Sequence, residues 1–220
     1  MIIAIDGPAG SGKSSTAKAA AARLGVTYLD TGAMYRAVTL KALRQKIPYT
    51  DDGALDNIME ETVIAFEGAP PNVRVIMDGE DVSAAVRTDE VTKNVSDYCA
   101  RDCVRKALVG QQRRIAEGRS VVCEGRDICT VVFPNAEVKI FMSASVEERA
   151  RRRQKDFAAM GVDKPLPELM EEIEARDRKD STRANSPLTK ADGAIEMDTT
   201  GMTLDEQVAF IIEKARPYLL

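Results

Sequence analysis

The stretch Gly7-Pro8-Ala9-Gly10-Ser11-Gly12-Lys13-Ser14-Ser15 opens the chain with the spacing G-x-x-x-x-G-K-[ST]. Glycines let consecutive backbone N–H groups turn inward around an anion. A helix starting there adds the positive end of its dipole, and a lysine adds a full charge. A hydroxyl at Ser14 is a suitable ligand for Mg²⁺. A Gly-rich turn with an incidental lysine could show the same letters, but here an apolar run, Ile2 to Ile5, precedes the loop and an alanine-rich stretch, Lys13 to Leu24, follows it. That strand–loop–helix setting marks a grip on a nucleoside triphosphate, most often ATP.

The loop alone does not separate kinases, GTPase switches and motors, which share it. Thr189-Lys190-Ala191-Asp192 and Asp198-Thr199-Thr200-Gly201 resemble guanine-reading and DxxG motifs, but they occur in the wrong order for a GTPase. A motor would carry an apolar strand ending in an acid, for which Val121-Val122-Cys123-Glu124 is the nearest candidate. That strand runs on into Gly125-Arg126-Asp127, which suits a substrate pocket better.

A phosphotransferase needs a second anion site, and guanidinium forks bind phosphate through two parallel hydrogen bonds. Arg36 follows Asp30-Thr31-Gly32, and Arg126 lies just past a strand end, where open α/β sheets bind ligands. Arg176, Asp180 and Arg183 share the spacing i, i+4, i+7 and therefore one helix face, a pattern equally compatible with a solvated ion-pair ladder. Arg149, Arg151, Arg152 and Arg153 crowd another helix, either as a solvated basic face or as a lid over triphosphate.

Composition narrows the chemistry further. The 220 residues contain no His, so imidazole acid–base steps and Ser-His or Cys-His nucleophiles are excluded. The four cysteines form no CxxC pair, which argues against zinc and for free thiols in a reducing compartment. A net charge of −4 offers no general attraction for nucleic acid or anionic lipid. The N-terminus lacks a basic, apolar leader pattern, and no apolar run approaches the ~20 residues a bilayer needs, so a cytoplasmic, unanchored protein is expected.

The elements that must position these residues follow from periodicity. Strands are expected at Ile2–Ile5, Val26–Leu29, Ser120–Cys123 and Val138–Phe141, alternating with helices, which argues for a parallel sheet. Helices are expected over Thr31–Arg44, Asp51–Glu60 and Thr88 to about Gly118. Residues 62–87 hold β-branched runs broken by Gly-Ala-Pro-Pro-Asn and Asp-Gly, the signature of a small antiparallel insert. Ser145-Val146-Glu147-Glu148 and Thr203-Leu204-Asp205-Glu206 read as capping boxes.

Together "IDGPAGSGKSS", "LDTGAMYRA", "GEDVSAAVRTDEV", "EGRDICTVVFPNA", "KIFMSAS" and "EIEARDRKDSTRANSPL" make the chain resemble the bacterial cytidylate kinase family essentially end to end. The resemblance implies an α/β fold with three layers and a parallel P-loop core (residues 1–30, 100–144 and 186–220). It also implies a monophosphate-binding region, 31–99, enlarged by the β insert, and a helical lid, 145–185. It implies transfer of the ATP γ-phosphoryl group to CMP or dCMP with Mg²⁺, by a monomer that binds no nucleic acid and no membrane. Lys13, Arg126 and Arg183 would be the catalytic cations, and Arg151, Arg152 and Arg153 the lid candidates. Thr31, Arg36, Arg126 and Arg183 would take the acceptor phosphate, Arg176 and Asp180 the pentose, and Ser96, Arg105 and Asp127 the cytosine edge.

Two features test that assignment. Nine residues at ~100° each put Ser96 and Arg105 on opposite faces of a straight helix, so the helix must break if both touch one base. The break is expected at Ala100-Arg101-Asp102-Cys103, with Asp102 as N-cap of the second helix. In addition, Glu124 stands where some members have Asp, and Cys129 where the family usually has Gly; Cys is poorly suited to a positive φ. A non-nucleotide kinase acting on an acceptor such as shikimate, or an ATP-binding regulatory module without turnover, would leave the cytosine set idle.

Overall fold

The computed structural model describes residues 1–159 and 161–219. Five strands, β1 (Ile2–Asp6), β2 (Thr27–Asp30), β6 (Val121–Gly125), β7 (Val138–Ser143) and β8 (Ile195–Asp198), form one sheet in the order β2-β6-β1-β7-β8. Every pairing in it is parallel. All five strands therefore end along the same edge, where the P-loop and the Gly125-Arg126-Asp127 turn meet.

Alternation along the strands sorts side chains to two faces. Ile3, Ile5, Val122, Ile140 and Met142 pack against α1 (Lys13–Leu24) and α8 (Leu204–Ala215). Ala4, Leu29, Val121 and Cys123 face α2 (Thr31–Arg44), α3 (Asp52–Glu61), α4 (Asp89–Cys99) and α5 (Asp102–Ala116). The result is a helix–sheet–helix sandwich. A second sheet of β3 (Ile64–Glu67), β4 (Arg74–Met77) and β5 (Glu80–Asp81) is antiparallel and lies within the expected insert. The helices α6 (Val146–Ala159) and α7 (Leu166–Thr182) have a small core of their own, Ala150, Phe157, Leu169 and Ile173. Among the described residues, no helix is long and apolar enough to cross a membrane.

The structure corrects several sequence expectations. The edge strand β8 had no strand signal, because its four residues, Ile-Glu-Met-Asp, are exposed except Met197 and so carry no buried apolar run. Arg183 lies one residue beyond α7, in extended conformation, rather than on the helical face of Arg176 and Asp180. The Thr203 capping box is complete. The Ser145 box is half-made: Ser145 Oγ accepts from the Glu148 amide, while the Glu148 carboxylate turns to Arg152. The 88–118 helix does break, at Ala100-Arg101, but Arg101 holds the N-cap position and Asp102 is the first helical residue.

Candidate active site

The P-loop is built around close backbone approaches. Gly7 lies so near β7 that a Cβ there would come within 2.0 Å of the Met142 carbonyl oxygen, and Gly12 enters α1 at φ 91°. Within this turn Lys13 Nζ donates to the Pro8 carbonyl at 2.7 Å and to Ser11 Oγ at 3.3 Å. Burial, reinforced by the nearby Arg126 charge, lowers the Lys13 pKa from 10.5 to about 7. The Glu124 and Asp6 charges offset this only in part, and a phosphate group supplies the compensation that is missing.

Ser14, the expected metal ligand, donates its hydroxyl to Glu124 Oε1 at 2.6 Å. Glu124 is 4% exposed and stands one residue before the end of β6, paired with Asp30, whose carboxyl is raised to about 6, first by burial and then by the Glu124 charge. A hydroxyl, the buried Glu124 carboxylate and the half-buried Asp30 carboxylate, which repel each other, form a hard-oxygen set that fits Mg²⁺. Sequence reading passed over Glu124 as a ligand; its signal was the acid at the end of an apolar strand.

A cavity of about 530 Å³ opens above the sheet edge between the P-loop, α2, the α4–α5 break and the α6–α7 pair. Thr31 is fixed at its wall by donating Oγ1 to the Glu124 carbonyl at 2.7 Å. Arg36 donates to Thr92 Oγ1 at 2.8 Å, and burial lowers its pKa. Arg126 Nε donates to Asp180 Oδ2 at 2.9 Å; burial opposes the Arg126 charge, but Asp180, together with Glu124 and Asp177, outweighs burial and raises the pKa. Arg176 is lowered to about 9 by burial and by repulsion from Arg126 and Arg36, and its Nε is buried without a hydrogen-bond partner among the described residues. Asp180 itself lies below the ordinary range: burial raises it, but Arg126 and Arg176 outweigh burial. Arg183 donates Nε to the Ser186 carbonyl at 2.7 Å, and one terminal nitrogen, 3.9 Å from Asp127, is buried without a hydrogen-bond partner among the described residues. Four guanidinium groups thus converge with too few acids to neutralise them, and only a multiply charged anion restores the balance.

The same cavity receives Ser96 from α4 and Arg105 from α5, because the backbone redirects between them. Arg105 pairs with buried Asp127, donates Nε to Ser186 Oγ at 3.2 Å, and sits 5.5 Å over the Tyr35 ring. Asp127 is held in turn from below. The π-helical turn Ile128–Val132 begins with the amides of Ile128 and Cys129 donating to Asp6 at 2.8 and 2.7 Å. Cys129 therefore adopts no positive φ, and its thiol donates to the Ala4 carbonyl. Asp6 is the second residue that sequence reading missed; burial raises it to about 6.

Of the remaining candidates, Ala9, Gly10, Gly12, Ser15, Arg152 and Arg153 line the cavity. Gly7, Pro8 and Ser11 belong to the P-loop but do not line the cavity. Arg152 is anchored to Glu148 and to the Thr199 hydroxyl and carbonyl. The Arg153 guanidinium lies 5.2 Å over Phe157. Arg151 turns outward, pairing with Glu147 at 2.6 Å with a side chain 60% exposed, so one of the three expected lid arginines is not in the site.

A P-loop at the edge of a five-stranded parallel sheet, facing an arginine-lined acceptor pocket, defines a P-loop phosphotransferase. A family model described as cytidylate kinase matches residues 3–217, and the chain belongs to that family. A cytidylate kinase of Lysinibacillus sphaericus is 49% identical over 218 residues, covering 99% of this chain and 97% of its own. A cytidylate kinase of Desulforamulus reducens is 52% identical over 210 residues, covering 96% and 94%. Among solved structures, an uncharacterized protein from Eubacterium ventriosum aligns over 99% of this chain and 98% of its own, with a TM-score of 0.55 at 16% identity, a likeness of fold alone.

Proposed function

We propose that this chain transfers the γ-phosphoryl group of ATP to CMP or dCMP, giving ADP and CDP or dCDP. The observation that carries the reading is the pairing of two anion sites across one cavity: Lys13 in the P-loop on one side and Arg36, Arg126, Arg176 and Arg183 on the other. The two are close enough for the Arg126 charge to depress the Lys13 pKa.

The acceptor is itself a phosphate, largely dianionic at neutral pH with a second pKa near ~6, so no general base is required. The chain's part is positioning and charge. The backbone amides of Ala9, Gly10 and Gly12 to Ser15 hold the donor phosphates, and Lys13 stays with the γ-phosphoryl group as it passes to the acceptor oxygen and the bond to ADP breaks. Arg36, Arg126 and Arg183, with Thr31 beside them, orient the acceptor phosphate, and Arg176 and Asp180 hold the pentose. Ser14, with Glu124 and Asp30 nearby, would hold Mg²⁺, which when bound neutralises charge on the β and γ oxygens. Ser96, Arg105 and Asp127 present donors and acceptors to a cytosine edge. Residues 145–185 act as a lid that brings Arg152 and Arg153 onto the donor and excludes water once both nucleotides are seated.

The reading includes a monomer working in the cytoplasm without nucleic-acid or membrane partners. The net charge of −4 supports the lack of nucleic-acid and membrane partners, and the four free cysteines support a reducing compartment. The test is ADP formation from ATP and Mg²⁺ with CMP, dCMP, UMP, AMP or GMP as acceptor. The expected result is strong stimulation by CMP and dCMP and little by purines. Equal rates with and without a monophosphate would overturn the reading.

A further inference from the structure

We propose that Arg149 and Asp177 are a positioning pair that couples the two nucleotide sites, so that occupation of either tightens the other. The inference rests on the two-nucleotide reading above. Arg149 is 5% exposed, although it belongs to a helix whose neighbouring basic residue Arg151 faces solvent. Its guanidinium makes three hydrogen bonds to three different parts of the chain. Nε donates to the Ala144 carbonyl at 3.0 Å, at the end of β7. One terminal nitrogen donates both to the Ala9 carbonyl of the P-loop at 3.1 Å and to Asp177 Oδ2 of α7 at 2.5 Å.

The contact on the P-loop side is direct. A Cβ on Gly10 would lie 3.1 Å from the Arg149 Cβ and 3.4 Å from its carbonyl oxygen, so the loop rests on the first turn of α6. On the other side Asp177 immediately follows Arg176 and precedes Asp180 by less than one helical turn. Its second oxygen, Oδ1, is buried with no hydrogen-bond partner among the described residues, so within this structure Arg149 alone holds the carboxylate. A single planar cation therefore fixes the backbone that cradles donor phosphate to the helix that carries the pentose-side residues. A P-loop drawn inward by triphosphate pulls on the Ala9 carbonyl, and the planar guanidinium, oriented by its Nε bond to Ala144, passes that displacement to α7 through the terminal nitrogen shared with Asp177. Coupling of this kind is reciprocal.

Arg149 and Asp177 touch neither nucleotide in this scheme, and their removal is read in the coupling rather than in binding alone. The experiment is calorimetric titration of CMP into the full chain, with and without a nonhydrolysable ATP analogue and Mg²⁺. In the wild type the analogue is expected to tighten CMP by about fivefold or more. Asp177→Asn keeps the side-chain volume and removes the charge, and it is expected to reduce that factor to within about twofold of unity. Arg149→Lys, which keeps the charge but loses the fork, is expected to do the same, and Asp177→Glu to recover part of the factor. If Arg149→Lys fails to fold by circular dichroism, the Asp177 variants carry the test. CMP binding with a wild-type coupling factor in Asp177→Asn overturns this inference and leaves the enzyme reading standing, as does a wild-type factor of one. Absence of CMP binding to the wild type overturns both.

Discussion

Ser14 Oγ and Glu124 Oε1 lie 2.6 Å apart, although 110 positions separate them in the chain. The parallel register that sets β6 next to β1 and β2 brings the end of one strand over the first turn of α1. Tyr28 also points its hydroxyl at the same carboxylate oxygen, at 3.4 Å. Glu124→Gln keeps an acceptor for both hydroxyls and removes the charge. It is expected to lower kcat about a hundredfold and to raise the Mg²⁺ concentration needed for half-maximal rate. Because the Glu124 charge helps to raise Asp30 to about 6, losing it should leave the thermal midpoint unchanged or higher. Activity against Mg²⁺ concentration, together with a melting curve, checks both halves; an unchanged Mg²⁺ requirement would sink the metal-side role.

Lys13 gives a pH prediction with a definite sign. Its folded pKa, about 7, lies below its ordinary 10.5, so between these values the unfolded chain binds more protons than the folded one. The cost of burying the charged lysine is thus fully present below pH 7 and fades as pH rises toward 10.5. A bound triphosphate favours the charged form, so ATP binding at pH 8 should take up a proton at this site. Titrations in buffers of different ionisation enthalpy measure that uptake. In Lys13→Met the uptake should vanish and turnover should fall by about a thousandfold, while the nucleotide-free protein melts no lower than wild type. Uptake that persists in the variant would assign the proton elsewhere.

Asp6 yields a prediction about acceptor geometry. Both of its oxygens are engaged by the Ile128 and Cys129 amides, and the turn they fix begins immediately after Arg126 and Asp127. Asp6→Asn retains one acceptor and turns an NH₂ toward the second amide. The resulting shift of the turn is expected to lower kcat/KM for CMP by about tenfold to a hundredfold. The KM for ATP should stay near wild type, because the variant leaves the phosphate cradle in place. Steady-state kinetics with each nucleotide varied in turn distinguish this outcome from a general loss of structure, which would raise both.

How much of this site could be read from sequence depended on whether its signal was local. The P-loop is a contiguous string whose glycines are demanded by backbone geometry, so its letters and its conformation coincide. Thr31–Arg44 matched the expected helix because its apolar spacing and the Asp30 N-cap both sit within one stretch. The break between Ser96 and Arg105 was legible for a different reason: two residues assigned to one base could not share a straight helix. Asp6, Glu124 and Arg149 were harder, because their importance comes from partners more than 90 residues away. Arg151 shows the converse. Its composition and helix are those of Arg152 and Arg153, and only rotation about the helix axis separates a solvated ion pair from a cavity wall.

Ser96 and Arg105 call for different variants, since their burial differs. Arg105 is 5% exposed and paired with Asp127, so Arg105→Met strands a buried carboxylate and is expected to cost about 3–5 kcal/mol of stability. Ser96→Ala removes one hydroxyl from a half-buried helix position and should fold normally. It is expected to reduce discrimination between CMP and UMP by about tenfold, read as the ratio of the two kcat/KM values. An unaltered ratio would place Ser96 outside base recognition.

The arginines of α6 provide the last prediction, in which neighbours behave oppositely. Arg151 is bound to Glu147 in an exposed i,i+4 pair, an arrangement worth only a few tenths of a kcal/mol, roughly 0.3–0.5. Arg151→Ala should therefore leave kcat, both KM values and the melting temperature near wild type. Arg153 lines the cavity, lies over the Phe157 ring, and leaves its Nε buried without a partner among the described residues, so its charge is available to an incoming anion. Arg153→Ala should lower kcat by about tenfold to a hundredfold, with a smaller effect on the KM for CMP than on that for ATP. Measuring both variants side by side controls for loss of charge on the helix, since each removes one positive charge from α6. Equal effects of the two would mean that the helix acts through its overall charge rather than through the particular arginine that faces the cavity.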